Sequence, residues 1–309
     1  MAVITNARLD ALRTTVDLKF AQAFEGTPTW FDKLCTDVPS DSDTVVYGFK
    51  AQSTSLEEWL GPRTLSNLLE HEYELKNKLY QAAVELPRIK VEDDKLGVFY
   101  AMTIPDLAEA TRKHPDRLLA DLLTANPTGY DGKAFFADDH PNYNATGAGA
   151  TTFDNDVAAA ITGDGIAGVW EAMTSRIGEN GRPLTVNPRL WVVPPQQYRE
   201  ALTIAQSTTY AIPKTATTTA ATVDNVLKGW FDVLMVPELA TAPTISYLMD
   251  VSRPIRPFVH QLRDAPQLVS RINLEDPKVF DLDTFTWGVR VRRNMGVTLP
   301  HLITRITRA

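Results

Sequence analysis

The N-terminal region places its apolar side chains on one face of a predicted helix. These side chains recur every three or four positions: Leu9, Leu12, Val16, Phe20 and Phe24. That spacing matches an α-helix of about 3.6 residues per turn. Because the apolar stripe is narrow, the pattern predicts a helix or arm that docks on another element.

Two β-rich runs, at residues 44–50 and 73–84, flank a segment with a turn signal at Gly61 and Pro62. The pattern predicts a long hairpin that spans residues 43–84. Limbs of about twenty residues at ~3.3 Å each would reach up to ~65 Å, whereas a compact chain of this length has a radius of gyration of ~19 Å. Such a hairpin would project from the body. The alternative is two short strands and a loop that pack on the body.

Two helical regions are predicted next. Glu92, Asp93 and Asp94 indicate the start of the first, because acidic side chains favour the positive end of the helix dipole. Pro105 interrupts this region, since proline has no backbone N–H to donate. Pro115 then fits the first turn of a second helix. The apolar face of that helix consists of Leu118, Leu119, Leu122 and Leu123.

The following region mixes short strands with an amphipathic helix over residues 166–177, which Gly178 and Gly181 would end. The apolar face of this helix comprises Ile166, Val169, Trp170, Met173 and Ile177. Strands are predicted at residues 190–193, 234–236 and 245–249, and a Thr- and Ala-rich run at 207–223 predicts a surface loop.

Near the C-terminus, Phe285, Trp287, Val289 and Val291 alternate with polar residues that include Arg290 and Arg292. Strict alternation predicts a strand with one apolar face and one partly cationic face. Taken together, the patterns predict an α+β chain with extended excursions.

Composition narrows the class of protein. The chain has 309 residues with 31 basic and 38 acidic side chains, a net charge of −7, which argues against a general nucleic-acid binder. No apolar run approaches the ~18 residues that a membrane helix needs, so no membrane partner is expected. The single cysteine, Cys35, excludes an internal disulfide and a cysteine metal cage.

Positive charge concentrates near the C-terminus. Residues 253–309 hold ten basic side chains, nine of them arginine, and five acidic ones, a local balance of +5. Such asymmetry is typical of surfaces that meet different partners. Arginines paired with acids inside one fold are an equally open interpretation.

Candidate catalytic chemistry is sparse. Asp138, Asp139 and His140 are residue types that bind metals or transfer protons. Adjacent loop residues rarely converge on one ion, however, and a turn that caps the Phe135–Phe136 pair is the favoured interpretation. The glycines of residues 163–168 match GxGxxG and open a helix, but no ribose-binding acid follows, so no dinucleotide site is expected. Neither an enzyme nor a cofactor is predicted.

The order of several segments along the chain resembles one known family, the major head (capsid) subunits of Mu-like bacteriophages and prophages. The segments are TPTWFDKL, EWLGPR, IKVEDDKLG, HPDRLLADLL, YDGKAFFADDHP, LWVVPPQQYREAL and VFDLDTFTWGVRVRRNMG. Their order and spacing, rather than any single motif, carry the resemblance, which runs over nearly the whole chain.

The resemblance implies the Hong Kong 97 (HK97)-like phage capsid fold. In that fold an N-terminal arm and an extended hairpin, the E-loop, reach across neighbouring subunits, and a peripheral domain carries a long spine helix. The implied organisation is an arm at 1–42, an E-loop at 43–84, a peripheral domain with the spine helix at 85–144, an axial domain at 145–260, and a return to the peripheral domain at 261–309. Pro105 departs from an unbroken spine helix.

The implied function is a major capsid protein that self-assembles, as pentamers and hexamers, into the icosahedral shell around a double-stranded DNA genome. The implied partners are a portal, packaged DNA held by weak non-specific contacts, and a scaffolding protein. The scaffold is expected to be separate, because the chain starts almost directly with the arm. Assembly is expected in the bacterial cytoplasm, and the product is the virion capsid.

Two sets of residues are expected to make contacts in the assembly. Trp59, Leu60 and Arg63 at the hairpin tip should contact another subunit, since an exposed tryptophan is otherwise an aggregation liability. Arg290, Arg292 and Arg293 should face packaged DNA or an acidic neighbour.

Two other functions stay open from the sequence. One is the shell protein of an encapsulin-like cellular nanocompartment, which shares the fold and encloses cargo enzymes. The other, more distant, is a metal-dependent hydrolase that uses Asp138, Asp139 and His140.

Overall fold

The structure is a computed structural model that describes residues 6–50, 70–93, 102–143, 149–178, 183–212 and 221–309. These residues form α-helices and β-strands in a mixed order. The helices are α1 (Asn6–Gly26), α2 (Phe31–Leu34), α3 (Arg88–Asp93), α4 (Ile104–Ala125), α5 (Gly163–Thr174), α6 (Tyr198–Gln206) and α7 (Pro277–Leu282).

The strands of the described residues are β1 (Cys35–Pro39), β2 (Thr44–Lys50), β3 (Glu70–Lys76), β4 (Lys78–Pro87), β5 (His140–Tyr143), β6 (Gly149–Phe153), β7 (Asp156–Ala159), β8 (Leu190–Val193), β9 (Thr209–Ile212), β10 (Ala221–Asp224), β11 (Asp232–Met235), β12 (Ile245–Met249), β13 (Phe258–Arg271), β14 (Thr284–Val297) and β15 (Ile303–Arg308). The prediction of an α+β chain is confirmed.

A four-stranded sheet in the order β1-β13-β14-β4 forms one half of the molecule. Strands β13 and β14, each 14 residues long, pair antiparallel, and β4 pairs antiparallel with the other edge of β14. Helices α1 and α4 pack on one face of this sheet. Their shared core includes Leu9, Val16, Phe20, Ile104, Leu107, Phe285, Trp287 and Val289. The predicted N-terminal helix is therefore confirmed, and its apolar stripe docks on α4 and the sheet of its own chain.

Helix α4 corrects the predicted boundaries of the middle helices. Pro105 lies in the first turn of α4, where a missing N–H loses no hydrogen bond, so it does not interrupt a helix. Pro115 lies inside α4 rather than at a start. The buried face runs on across Pro115, from Thr111 to Leu119, and this tertiary packing outweighs the local cost of proline. Glu92 and Asp93, predicted to open a helix, instead lie in α3, which already begins at Arg88, and Asp94 lies outside the described residues.

The predicted hairpin is present as β2 and β3, which pair antiparallel from Thr44 opposite Lys76 to Lys50 opposite Glu70. Residues 51–69, which include the predicted tip, lie outside the described residues. The second limb ends earlier than predicted, because the chain turns at Asn77 and β4 joins β14 instead. The buried Asn77 amide fixes this turn, since it donates to Ser40 Oγ and the Ser42 carbonyl, each at 2.9 Å.

A five-stranded sheet in the order β11-β8-β12-β15-β7 forms the other half. Helices α5 and α6 pack on it through a core that includes Ile166, Val169, Met173, Trp191, Ala201, Ile204, Leu248 and Ile306. Strand β15 lies in this sheet and β14 in the other, so residues 261–309 contribute strands to both sheets.

Three local predictions in this half need adjustment. The helix predicted at 166–177 is α5, which ends at Thr174, so Ile177 lies beyond it and is exposed. The strand predicted at 234–236 is β11. The predicted surface loop at 207–223 contains β9 and β10, which pair as a hairpin, while residues 213–220 lie outside the described residues.

A third core joins the two sheets. It draws on both sheets, on α2 and α4, and on the segment between α4 and β5, and its members include Phe31, Leu34, Leu119, Leu123, Phe135, Phe136, Tyr247, Phe258 and Met295. The Phe135–Phe136 pair is buried there, as predicted. Among the residues placed by the structure, no helix is long and apolar enough to cross a membrane.

Candidate assembly surfaces

The arginine-bearing strand β14 has two different faces. Arg290 is exposed and lies 3.7 Å from Asp264, and Arg292 on the same face pairs with Asp43. Arg293 points to the opposite, apolar face and is only 4% exposed. The alternation predicted for this strand is confirmed, but Arg293 does not belong to its cationic face.

Most C-terminal arginines pair with acids inside the fold. Arg305 donates through Nε to Asp156 Oδ1 at 2.7 Å, and this bond raises the pKa of Arg305. Arg308 Nη1 lies 2.9 Å from Glu200 Oε2, and Arg271 Nε lies 3.1 Å from Oδ2 of Asp276, which precedes α7. Local pairing therefore accounts for much of the positive excess at the C-terminus.

The base of the β2–β3 hairpin is fastened to the long strands. Tyr47 Oη donates to Gln261 Oε1 on β13 at 2.7 Å, and Asn294 Nδ2 on β14 donates to the Lys76 carbonyl at 2.7 Å. At Gly296 a Cβ atom would lie 3.0 Å from Tyr73 Cε1, so the hairpin sits directly on β14 there. The predicted contact residues Trp59, Leu60 and Arg63 lie outside the described residues.

Exposed apolar side chains lie on α3 and α7, near one end of the four-stranded sheet, and we call them the sheet-end patch. The Arg88 N–H donates to the Asp283 carbonyl at 2.9 Å, which places α3 beside the end of α7. This sheet-end patch consists of Ile89, Phe280 and Leu282, which are 62%, 83% and 57% exposed. The sequence analysis did not predict this patch, although Phe280 and Leu282 alternate with the acidic residues Asp281 and Asp283 in the chain.

The Asp138–His140 segment does not form a metal or catalytic site. Asp138 is exposed, Asp139 pairs with Lys133, and the buried His140 donates or accepts through Nδ1 at 2.6 Å from Asp131. Asp139 and His140 thus bind different partners, and Asp138 faces solvent. In the part of the chain that the structure describes, no group of three acidic, histidine or cysteine side chains is arranged to hold a metal ion.

The glycine-rich segment before α5 has a packing role. Thr162 caps the helix, with its Oγ1 accepting from the Gly165 N–H at 3.2 Å. A Cβ atom at Gly165 would lie 2.2 Å from the Ala160 carbonyl oxygen, so only glycine fits there. This close approach explains the glycine without a phosphate ligand. Cys35 is likewise structural, since burial raises the pKa of its thiol well above the usual range and keeps it neutral.

Comparisons with known proteins agree with this architecture. The family model of the Mu-like prophage major head subunit gpT matches residues 9–162 and 239–308. The Mu-like prophage FluMu major head subunit of Haemophilus influenzae is 27% identical over 298 residues, 96% of this chain and 72% of that protein. The major capsid protein of Escherichia phage Mu is 25% identical and covers 95% of this chain and 72% of its own length.

Solved structures give the same result for the fold. A subunit of the procapsid of bacteriophage JBD30 superposes with a TM-score of 0.62 at 25% identity, covering 99% of this chain and 77% of that one. A virus-like particle from Pyrococcus furiosus superposes with a TM-score of 0.54 at 6% identity, covering 95% of this chain and 98% of that one, and so shares the fold alone.

The fold is therefore HK97-like. With matched residues in both sheets and over more than half of its length, this chain belongs to the Mu-like prophage major head subunit family, a family of structural capsid proteins.

Proposed function

We propose that this subunit assembles through pentamers and hexamers into an icosahedral phage head that encloses double-stranded DNA. The observation that carries the proposal is the sheet-end patch. Phe280 is 83% exposed at the end of the long sheet, with Ile89 and Leu282 beside it. Large side chains grouped in this way are typical of protein–protein contacts, and in a shell of identical subunits the partner is a second copy.

The rim of the patch supports a contact between copies. Basic and acidic side chains alternate around it, including Arg88, Lys278, Glu85 and Asp283, and within one subunit they form exposed pairs at 3.6–3.8 Å. Exposed pairs of this kind contribute little to the stability of one subunit. They remain available to re-pair across an interface, where a polar rim around an apolar centre is the usual arrangement.

The two halves of the molecule suggest a division of roles. The four-stranded sheet with α1 and α4 corresponds to the peripheral domain, with α4 as the spine helix, and the five-stranded sheet with α5 and α6 corresponds to the axial domain. The β2–β3 hairpin corresponds to the base of the E-loop. Trp59, Leu60 and Arg63 would then reach a neighbouring subunit, and alanine at all three positions should impair assembly while the fold is retained.

The remaining partners follow from the shell function. A scaffolding protein, a portal and packaged DNA would act with this subunit during assembly in the host cytoplasm. Arg290 and Arg292 form the cationic face of β14 and are the residues placed to meet DNA or an acidic neighbour. Because both already pair with acids, their contribution would be weak. Unchanged genome retention in a variant with glutamine at both positions would show that they serve local structure only.

An encapsulin-like nanocompartment is the second candidate, since the fold alone does not separate a phage head from other shells, such as the virus-like particle of Pyrococcus furiosus. The match to the head-subunit family favours the phage shell over it. Particles purified from a lysate separate the two by content, because a phage head contains DNA and a nanocompartment contains cargo protein.

Variants of Phe280 test the proposal directly. Phe280→Ser should prevent or slow shell formation, whereas Phe280→Leu, which keeps an apolar side chain, should assemble. Because Phe280 makes little contact within the subunit, both variants should unfold at nearly the wild-type temperature. Sedimentation velocity and negative-stain electron microscopy of co-expressed particles provide the measurement. Normal shells from Phe280→Ser would show that the sheet-end patch is not a contact between subunits.

A further inference from the structure

Arg293 is a buried arginine without an acidic partner. The residue is 4% exposed, and its Nε and Nη2 atoms are buried without a hydrogen bond. These two nitrogens form the side-on edge of the guanidinium, the edge that matches two oxygens of a carboxylate or phosphate. A buried, unpaired charge is strongly unfavourable, so a group of this kind calls for a counter-charge.

The surroundings of Arg293 add further unpaired donors. Tyr80 lies on the neighbouring strand β4, and its ring is centred 4.3 Å from that of His114 on α4. His114 Nδ1 and Arg112 Nε are also buried without a hydrogen-bond partner. Burial, followed by the nearby charge of Arg293, lowers the pKa of His114 to about 4. The charge of Arg112 acts on Arg293, and the charge of Arg293 acts on Tyr80 and His114, so these side chains lie near one another between α4 and the sheet. We call this group of side chains the Arg293 pocket.

The nearby carboxylates act on other side chains and leave Arg293 itself without an acidic partner. Asp37 is held by His260, whose Nδ1 lies 2.6 Å from Asp37 Oδ1, Asp32 lies 3.5 Å from Arg112 Nη2, and Asp121 acts on Tyr80 and His114. Burial and the charge of Arg112 together lower the pKa of Arg293 to about 10, and Tyr80 alone opposes them. Among the described residues, no acid offsets the charge of Arg293.

We propose that the Arg293 pocket binds an oxyanion. Arg293 would hold two of its oxygens through Nε and Nη2, and Arg112 and His114 would supply further donors. The shared chemistry is that of a carboxylate or a phosphate. Its two sources are an acidic side chain of a second copy of this chain and a free inorganic anion. In either case the bound anion links α4 to β14 and stabilises the peripheral half of the subunit.

Thermal unfolding of the full-length subunit tests binding, with inorganic phosphate as the probe and chloride at equal ionic strength as the reference. Tens of millimolar phosphate should raise the wild-type unfolding temperature by a few degrees. Arg293→Met should abolish this rise. Arg290→Met is the matched control, because Arg290 lies on the opposite, exposed face of the same strand, and this variant should respond like the wild type.

Arg293→Lys keeps the charge but lacks the two-nitrogen edge, so it should respond more weakly than the wild type even if Arg293→Met fails to fold. Equal phosphate responses in the wild type and the Arg293 variants would mean an adventitious ion only and would overturn the proposal.

Assembled shells distinguish the two sources. If shells no longer respond to phosphate but unfold at lower temperature with Arg293→Lys, the occupant is a carboxylate of a neighbouring copy. If wild-type shells still respond, the occupant is a free anion. The proposal is overturned if neither subunits nor shells show any effect of phosphate or of the Arg293→Lys change.

Discussion

Arg176 follows α5 and reaches oxygens on two distant segments. Its Nη1 donates to the His301 carbonyl at 2.6 Å, and its Nη2 donates to the Asp154 carbonyl at 2.8 Å and to Thr304 Oγ1 at 2.7 Å. The guanidinium also lies over the Phe153 ring, 5.2 Å from its centre. This one buried side chain joins the C-terminal strand to the end of α5.

Arg176→Met should therefore lower the free energy of unfolding by about 3 kcal/mol or more, because several buried acceptors lose their donor at once. Arg199→Met is the control, since Arg199 is exposed on α6 and its loss should change stability by less than about 0.5 kcal/mol. Urea unfolding of both variants provides the comparison. Equal stability of the two would contradict the role of Arg176.

Asp116 makes stability depend on pH. Its Oδ1 accepts from the Trp30 and Phe31 N–H groups at 3.1 and 2.9 Å, yet burial raises its pKa to about 6. The folded state then holds this proton more tightly than the unfolded state, whose aspartate titrates near 4. The contribution of Asp116 to stability is therefore greatest below pH ~4 and is lost as pH rises through about 6.

Asp116→Asn removes this titration while keeping an acceptor for both N–H groups. The stability of the variant relative to the wild type should improve by up to about 3 kcal/mol between pH 4 and pH 7. Unfolding curves at both pH values measure the difference, and a parallel pH dependence of wild type and Asp116→Asn would rule out the raised pKa.

At the residue scale, the sequence indicated short-range roles better than long-range ones. The Phe135–Phe136 anchor was predictable because two adjacent aromatic residues precede a turn. The partners of Asp116 lie 85 and 86 residues away, and those of Arg176 up to 128 residues away. No local pattern carries such pairings. Arg293 was grouped with Arg292, although the alternation along β14 places their side chains on opposite faces.

At the element scale, strict alternation was the strongest signal. It located β14 and its two faces, and the apolar run at residues 190–193 located β8. The predicted effects of Pro105 and Pro115 were wrong, since both residues lie in the one helix α4. The continuous buried face of α4 outweighs the local effect of Pro115. The second hairpin strand was predicted to run too far, from Tyr73 to residue 84. It ends before Asn77, and the hydrogen bonds of Asn77 go to a loop more than thirty residues earlier, which no local pattern shows.

Gly296 sets the position of the β2–β3 hairpin on β14. A methyl group there would lie 3.0 Å from Tyr73 and 3.1 Å from Leu75, so Gly296→Ala should push the hairpin base outward. At Gly288, on the same strand, the nearest atoms lie 3.6 Å away, so Gly288→Ala should be neutral. Co-expressed Gly296→Ala should yield fewer complete shells than Gly288→Ala by sucrose-gradient sedimentation. Equal yields would show that hairpin position does not limit assembly.

At the scale of the whole molecule, two sheets share one core, and the base of the β2–β3 hairpin lies on the long strands. The arginines of the C-terminal region mostly pair with acids drawn from both halves of the subunit. Among the described residues, the positive charge of this region is therefore largely paired inside the fold, although Arg293 has no acidic partner. The sheet-end patch stays exposed on the subunit, and a second copy of the chain would cover it.

Electron microscopy of the chain, purified after co-expression with the proteins encoded beside it, decides whether the subunit forms a shell. Closed shells built of five- and six-subunit rings are expected, with the β2–β3 hairpin and the sheet-end patch at contacts between subunits. Monomers or small oligomers that persist at high concentration under these conditions would contradict this expectation.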